Sequence, residues 1–347
     1  MSEDIDLIED QDGDENFEHF QVIADPGQAP LRIDKFLIDR IPHVSRSRIS
    51  AAAKNGNVVV NGISVKQNYK VKPEDRISLV FPHPKRELKL LPEDIPLDIV
   101  YEDDYLVVVN KPANFVVHPG HGNYDGTLVN ALLHHFGQLP KNAKSEVAYP
   151  GLVHRIDKDT TGLLVIAKKE EVLSNLAAQF FNRTTHRLYY AIVWGNVEDE
   201  KGTIKGNIGR SHSDRKQMTV YPEGEEGKHA VTHFEVIERF GYVTLIKCKL
   251  DTGRTHQIRA HLKHIGHTLF GDVRYGGDKI LKGTTFSKYR QFIDNCLKIL
   301  PRQALHAKTL GFTHPVTNEW MEFECPMPDD MVQVLEKWQV YIKAQSS

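Results

Sequence analysis

From Ile99 to the C-terminus the sequence is a succession of short apolar runs rich in β-branched residues, among them Tyr105–Val109, Leu163–Ala167, Tyr190–Trp194 and Val243–Leu250. Runs of this length bounded by polar turns are strand signals. Few helical periods interrupt them: Leu128–Phe136, Glu171–Asn182, His256–Ile265 and Met331–Ala344 have the spacing that fits a helix. Strands that follow one another without crossover helices pair antiparallel. The expected fold class is therefore α+β, with a large, mainly antiparallel mixed sheet and helices at its periphery. At 347 residues and 40% hydrophobic, the chain can bury a core of that size.

Upstream the pattern differs. Residues 1–16 carry eight acids and no base, with too little apolar surface to offset their ordering entropy, and read as an acidic disordered tail. With those eight set aside, 44 Lys and Arg face 38 acids, so the net charge of −2 conceals a basic remainder. Arg32 to Arg86 alone holds twelve bases against four acids. Such a field attracts phosphate backbones, although a merely solvated surface would look the same. Leu31–Ile38 reads as a short helix, and Ser45 as the N-cap of a second, Arg46–Lys54, that ends at Asn55-Gly56 and exposes Arg46, Arg48 and Lys54. Val58–Val60, the turn Asn61-Gly62, Ile63–Val65 and Arg76–Phe81 read as strands. The proline-rich, aperiodic stretch from His83 to Pro92 reads as a linker. The expected division is a tail at 1–16, a small basic α+β module at 17–82, a linker at 83–94 and a large domain at 95–345.

Several chemistries find no support. Cys248, Cys296 and Cys325 are scattered, and three cannot form a fully paired disulfide framework, so a reducing cytoplasm fits best. No run approaches the roughly 18 apolar residues of a membrane span. The motifs of nucleotide-cofactor loops and zinc sites are missing. His261, His264 and His267 invite a metal reading, but they accompany Arg259 and Lys263 on a basic helix, and surface or RNA-facing histidines are expected instead.

Two polar glycine turns carry the rest. His154-Arg-Ile-Asp-Lys-Asp-Thr-Thr-Gly162 directly precedes the apolar run Leu163–Ala167, and a loop entering a buried strand can hold a side chain rigidly at a cleft floor. A plain tight turn would read the same. Leu250-Asp-Thr-Gly-Arg-Thr-His-Gln-Ile-Arg-Ala-His261 is a second such turn running into a helix, where His256, Arg259 and Lys263 share a face able to meet a carboxylate and a phosphate.

These segments resemble the RluA/RluD family of pseudouridine synthases, and the RluD-type enzymes of the large ribosomal subunit in particular. The family's His-Arg-Leu-Asp loop matches His154 to Asp157, and its Gly-Arg-Thr-His-Gln-Leu-Arg motif matches Gly253 to Arg259, with Ile for Leu in each. Asn110-Lys-Pro, His118-Pro-Gly, Arg187-Leu-Tyr-Tyr-Ala, Gly271-Asp-Val-Arg-Tyr-Gly and Leu305-His-Ala follow in family order, with Arg187 where Lys is more usual. The module at 17–82 resembles the S-four RNA-binding domain through Arg32-Ile-Asp-Lys-Phe-Leu, Ser45-Arg-Ser-Arg-Ile and Asn57-Val-Val-Val-Asn-Gly.

The resemblance implies an enzyme that detaches uracil from its ribose, turns it and rejoins it through a ring carbon. Asp157 would be the catalytic carboxylate, Arg259 its ion-pair partner and Tyr189 the active-site tyrosine. Arg155 would hold the flipped-out nucleotide. His154, Arg254, His256 and Lys263, with Arg46, Arg48 and Lys54 of the module, are expected to contact RNA. Isomerisation has no net redox change, so no cofactor and no metal are expected. The expected partner is RNA, large-subunit ribosomal RNA or its precursor particle, and the protein is expected to be monomeric. Two other readings compete. A non-catalytic ribosome-assembly protein would tolerate loss of Asp157, Tyr189 or Arg259, and a hydrolase using Asp157 and Asp159 would release free uracil. Deleting residues 1–85 is expected to weaken binding to structured RNA while the catalytic fold persists. Fluorescence anisotropy with a folded RNA and circular dichroism of the truncated chain check both halves; unchanged affinity would count against the module's role.

Overall fold

The computed structural model describes residues 17–41, 44, 46–81, 90–120, 123–137, 151–214, 216–221 and 226–345. The expected tail, the Ser45 cap and most of the expected linker lie outside the described residues. The chain divides into two units, one running to Leu91 and the other starting at Pro92, with Pro119, Gly120, Asn123 and Tyr124 grouping with the first.

The first unit contains β1 (Phe17–Ile23), β2 (Leu31–Arg32), α1 (Ile33–Ile38), α2 (Arg46–Lys54), β3 (Val58–Val60), β4 (Ile63–Ser64), β5 (Lys70–Val71) and β6 (Arg76–Phe81). An antiparallel sheet in the order β1-β6-β3-β4 is packed by the two helices, which bury Ile33, Phe36, Leu37, Ile49 and Ala52 against Val58, Val60, Ile77, Leu79 and Phe81. The helix expected from Leu31 starts at Ile33, because Leu31 and Arg32 pair with Val71 and Lys70 as strand. β1 was not expected. Its residues are half-buried or exposed, so it carries no clear apolar alternation, and its pairing with β6 supplies what its composition lacks.

The second unit contains β7 (Ile99–Glu102), β8 (Leu106–Lys111), α3 (Leu128–Phe136), β9 (Thr161–Ala167), α4 (Glu170–Asn182), β10 (His186–Trp194), β11 (Lys201–Arg210), β12 (Met218–Tyr221), β13 (Lys228–Arg239), β14 (Val243–Leu250), α5 (Gln257–His264), α6 (Ser287–Ile299), β15 (Leu305–Thr313), β16 (Trp320–Glu324) and α7 (Asp329–Gln345). Ten strands form one mixed sheet in the order β12-β11-β13-β14-β10-β15-β9-β8-β7, with β16 on β15. Among the described residues every pairing is antiparallel except β9 with β15. All seven residues of β9 are buried. Leu164 and Ile166 join a core with Tyr189, Ile258 and Leu262, whereas Leu163 and Val165 face Val172, Leu176 and Phe312. Covered on both sides, the strand reads as an unbroken apolar run. A third core packs Met331, Leu335 and Trp338 of α7 against Tyr289, Ile293 and Cys296 of α6. Helix α6 was not expected, because charged residues separate its apolar positions. Among the described residues no helix is long and apolar enough to cross a membrane.

The parallel step sets the site. Gly162 opens β9 at φ +112° opposite Ala307 of β15, and a Cβ there would lie 2.2 Å from the Ala307 carbonyl oxygen. Only glycine brings the two strands together at this point, and the loop carrying Asp157 ends there. Gly162→Ala is expected to lower the unfolding free energy by about 2 kcal/mol or more, because the backbone must leave a glycine-only region and the strands must separate. Urea unfolding measures it, and an unchanged midpoint would contradict the close approach.

Candidate active site

The loop between Gly151 and Gly162 is fastened along its length. The Lys111 ammonium is buried and donates to the carbonyl oxygens of Pro112, Phe115 and Lys158 at 2.7 to 2.8 Å. Arg302, held by Asp330 at 2.7 and 2.8 Å, donates to the Asp159 carbonyl at 3.0 Å. Gln303 Nε2 donates to the Thr160 hydroxyl at 3.3 Å, and Thr161 Oγ1 shares a 2.9 Å hydrogen bond with His306 Nδ1. Burial pushes the Lys111 ammonium down to about 7, with Asp159 opposing that shift. The bland possibility for this loop, a tight turn, describes its backbone correctly, since the Thr160 amide donates to the Asp157 carbonyl. It does not account for a carboxylate held at the floor of a cavity.

That cavity, of about 900 Å³, is lined by His154, Arg155, Asp157, Tyr189, Arg254, His256 and Arg259, together with Phe180, Phe181, Arg183 and Arg187. Arg259 Nη1 donates to Asp157 Oδ2 at 2.8 Å, while its Nε and Nη2 hold both oxygens of Asp272 at 2.8 Å. Arg259 and Asp272 are buried; the Asp157 side chain keeps 21% exposure towards the cavity. His256 stands in the left-handed region at φ 52° before α5, with Nε2 3.8 Å from Asp157 Oδ2 and Nδ1 3.0 Å from the Tyr275 hydroxyl. The guanidinium of Arg259 and the ammonium of Lys263 both lie over the Tyr275 ring, at 4.9 and 5.4 Å. His256, Arg259 and Lys263 thus share a face, as the spacing predicts. Asp272 and Tyr275 are site residues that sequence reasoning missed, although both lie in the segment Gly271-Asp-Val-Arg-Tyr-Gly that resembles the family.

The other expected residues fall in different places. Tyr189 is buried in the wall beside Asp157, where burial and the Asp157 charge raise its hydroxyl above the usual range. Arg155 is exposed and shares a 2.8 Å hydrogen bond with His118 Nε2. His154 stacks on Phe180 with ring centres 4.5 Å apart and accepts from the Val165 amide, and burial pushes it down to about 3. Arg254 donates to the His229 carbonyl and Lys263 to Gln217, the latter outside the cavity lining. Arg46, Arg48 and Lys54 lie on α2 in the first unit, where Arg46 Nε is 3.0 Å from the buried carboxylate of Asp34. His264 is exposed, as expected of a surface histidine, whereas the expectation fails at His261 and His267. His261 is fully buried with Nδ1 2.8 Å from the Thr232 hydroxyl, because α5 turns that face into the sheet, and His267 lies beyond the helix against the Trp194 carbonyl.

A profile of the RNA pseudouridylate synthase family matches residues 105–264, and one of the S4 domain matches residues 31–77. An uncharacterized RNA pseudouridine synthase of Chlorobaculum parvum is 49% identical over 321 residues, covering 92% of this chain and 98% of that protein. The ribosomal large subunit pseudouridine synthase D of Nitrosomonas europaea is 41% identical over 322 residues, 93% of this chain and 88% of that one. In fold, the human RNA pseudouridylate synthase domain containing 1 is similar with a TM-score of 0.50 and 24% identity, over 71% of this chain and 96% of its own. The chain belongs to the RNA pseudouridylate synthase family. It is thus an isomerase of uridine in RNA, with an S4 domain ahead of the synthase domain.

The electrostatics of this synthase's cavity centre on Asp157. Burial alone would raise the carboxyl, but His256 and Arg259 more than offset it and hold Asp157 below the usual carboxylate value. Burial pushes His256 itself down to about 4, so at neutral pH it is uncharged and Arg259 supplies the persistent cation. A depressed carboxylate contributes stability above its unfolded value that is lost as pH falls below it. Arg259→Gln is expected to raise the Asp157 carboxyl, since two of the contributions that oppose burial are lost, and to cost about 3–5 kcal/mol by leaving buried carboxylates uncompensated. Carbon-13 NMR titration of the Asp157 carboxyl and denaturant unfolding test this; an unmoved titration would show that Arg259 does not set its charge.

Proposed function

We propose that this synthase converts uridine to pseudouridine in large-subunit ribosomal RNA, in the cytoplasm, with Asp157 as the catalytic carboxylate and without a cofactor. The reaction breaks the bond from ribose C1′ to uracil N1 and makes one to uracil C5. The proton lost from C5 is balanced by one gained at N1, so no electrons enter or leave. A carboxylate kept ionised at the base of a cavity large enough for a nucleotide suits attack at carbon or removal of that proton. The observation that carries the reading is the ion pair of Asp157 with a buried Arg259, itself fixed by Asp272, beside Tyr189. Tyr189 offers a ring face for the base and a protonated hydroxyl. Arg155, exposed at the rim, can occupy the space that the flipped nucleotide vacates. A ribosomal target is supported by the similarity, over most of the chain, to an enzyme named for the large subunit.

Pseudouridine mapping on ribosomal RNA treated with the wild type and with Asp157→Asn tests the reading. Modification is expected at discrete sites with the wild type only, the variant falling by a factor on the order of 10⁴ or more, as in loss of a triad carboxylate. Equal modification by both would remove Asp157 from the chemistry, and free uracil among the products would favour a hydrolase. Absence of product on naked RNA and on precursor particles alike would favour an assembly factor.

A further inference from the structure

Among the described residues of the second unit three arginines are buried, Arg187, Arg259 and Arg302. Arg259 holds Asp157 and Asp272, and Arg302 holds Asp330. Arg187 has no such partner. It is 7% exposed and lines the same cavity; its Nε makes no hydrogen bond, and among the described residues no carboxylate comes within ion-pair distance of it. Its guanidinium lies 5.3 Å from the Phe180 ring centre, and its Nη1 rests against Gly253, where an added Cβ would be 3.2 Å away. Arginine cannot discard its charge by deprotonation. Desolvating it is costly, and a single cation–π contact offsets only part of that. A cavity that keeps such a cation is built for an anion arriving with the ligand.

We propose that Arg187 receives a phosphate diester flanking the target uridine, an inference that rests on reading the cavity as the seat of a flipped nucleotide. Phosphate is the one full charge that each nucleotide carries. Arg187 precedes Tyr189 by two residues on β10, so it shares the strand face of the tyrosine at a spacing of roughly 7 Å. That is comparable with the reach from a base to the phosphate of its own nucleotide. With uracil against Tyr189, the diester falls at the guanidinium. Gly253 leaves the guanidinium room that a Cβ would narrow, and the exposed Arg183 on the same wall adds to the positive field.

The test uses the full chain and an RNA carrying a mapped target uridine, with a neutral methylphosphonate replacing either flanking diester. For the wild type one of the two replacements is expected to lower single-turnover kcat/KM roughly ten- to hundredfold, the range of a charge-assisted hydrogen bond. Arg187→Met is expected to show that loss already on the natural RNA and no further loss on the neutral linkage, and Arg187→Lys to recover part of it. Because a buried unpaired charge is removed, Arg187→Met should melt at or above the wild-type temperature, whereas a purely structural arginine would lower it. Losses that multiply, neutral linkages that cost the wild type nothing, or a lowered melting temperature would each overturn the assignment. A wild type that forms no pseudouridine at all would overturn the reading of the cavity, and the assignment with it.

Discussion

The site depends on one cation shared by two carboxylates. Arg259 uses Nε and Nη2 on Asp272 and Nη1 on Asp157, all at 2.8 Å. The Asp272 pair fixes the plane of the guanidinium, so the third donor has little freedom left and Asp157 meets a pre-aimed partner. Asp272 is in turn fixed by its place in the chain, since its carboxylate accepts from the Tyr275 amide within a short 3₁₀ turn. Such a trio in a low-dielectric interior is a poor source of stability, because desolvating three charges offsets most of the attraction between them. It makes sense as the means of keeping Asp157 ionised while only part of it meets solvent.

The fold supplies two rigid supports for that geometry. Helix α5 presents Arg259 from one side, its Ile258 and Leu262 buried in the same core as β9 and β10. The Asp157 loop enters from the other, tied by Lys111 to the end of β8 and by Arg302, Gln303 and His306 to the start of β15. Each tie ends on a backbone carbonyl or a hydroxyl next to Asp157 in sequence, and none ends on its carboxylate. The loop is therefore positioned without occupying the Asp157 carboxylate, which is left to Arg259 and the cavity. Asp330 of α7 extends this arrangement, because it orients Arg302, so the last helix of the chain reaches the cavity through a single ion pair.

Much of this is legible in the sequence, and the remainder is hidden for physical reasons. β9, β14, α2 and α3 were read from the chain because apolar runs, helical spacing and a glycine after the last turn report local burial directly. β11 and β13 escaped notice: long and half-buried, with Lys, Gly and His on their open faces, they carry little apolar content for the many pairings they make. At the site, the Asp157 and Arg259 motifs stand out as polar glycine turns. The role of Asp272 does not, because an acid thirteen residues from Arg259 becomes its partner only once the chain after α5 folds back. His261 misled for the opposite reason. A histidine on a basic helix looks solvated, and only the packing of α5 against β13 turns it inward to Thr232.

The cavity thus has two unlike halves. Around Asp157 the ionic partners are already in place, which suits a transition state that tolerates little reorganisation. Along the end of α4 and the start of β10 the groups are less satisfied: Phe181 is 86% exposed, Arg183 caps the helix in the left-handed region at φ 62°, and Arg187 has no counter-ion among the described residues and leaves its Nε without a hydrogen bond. Exposed aromatic surface and an unanswered charge each cost free energy in the empty protein. A ligand with stacked bases and anionic linkages would offset both. Binding is then favoured where the free protein is least satisfied and chemistry is set where it is most satisfied. On the proposed reading that division has a use, because the cost of extruding a base from folded RNA would be offset by new contacts at the rim before the Asp157 carboxylate acts.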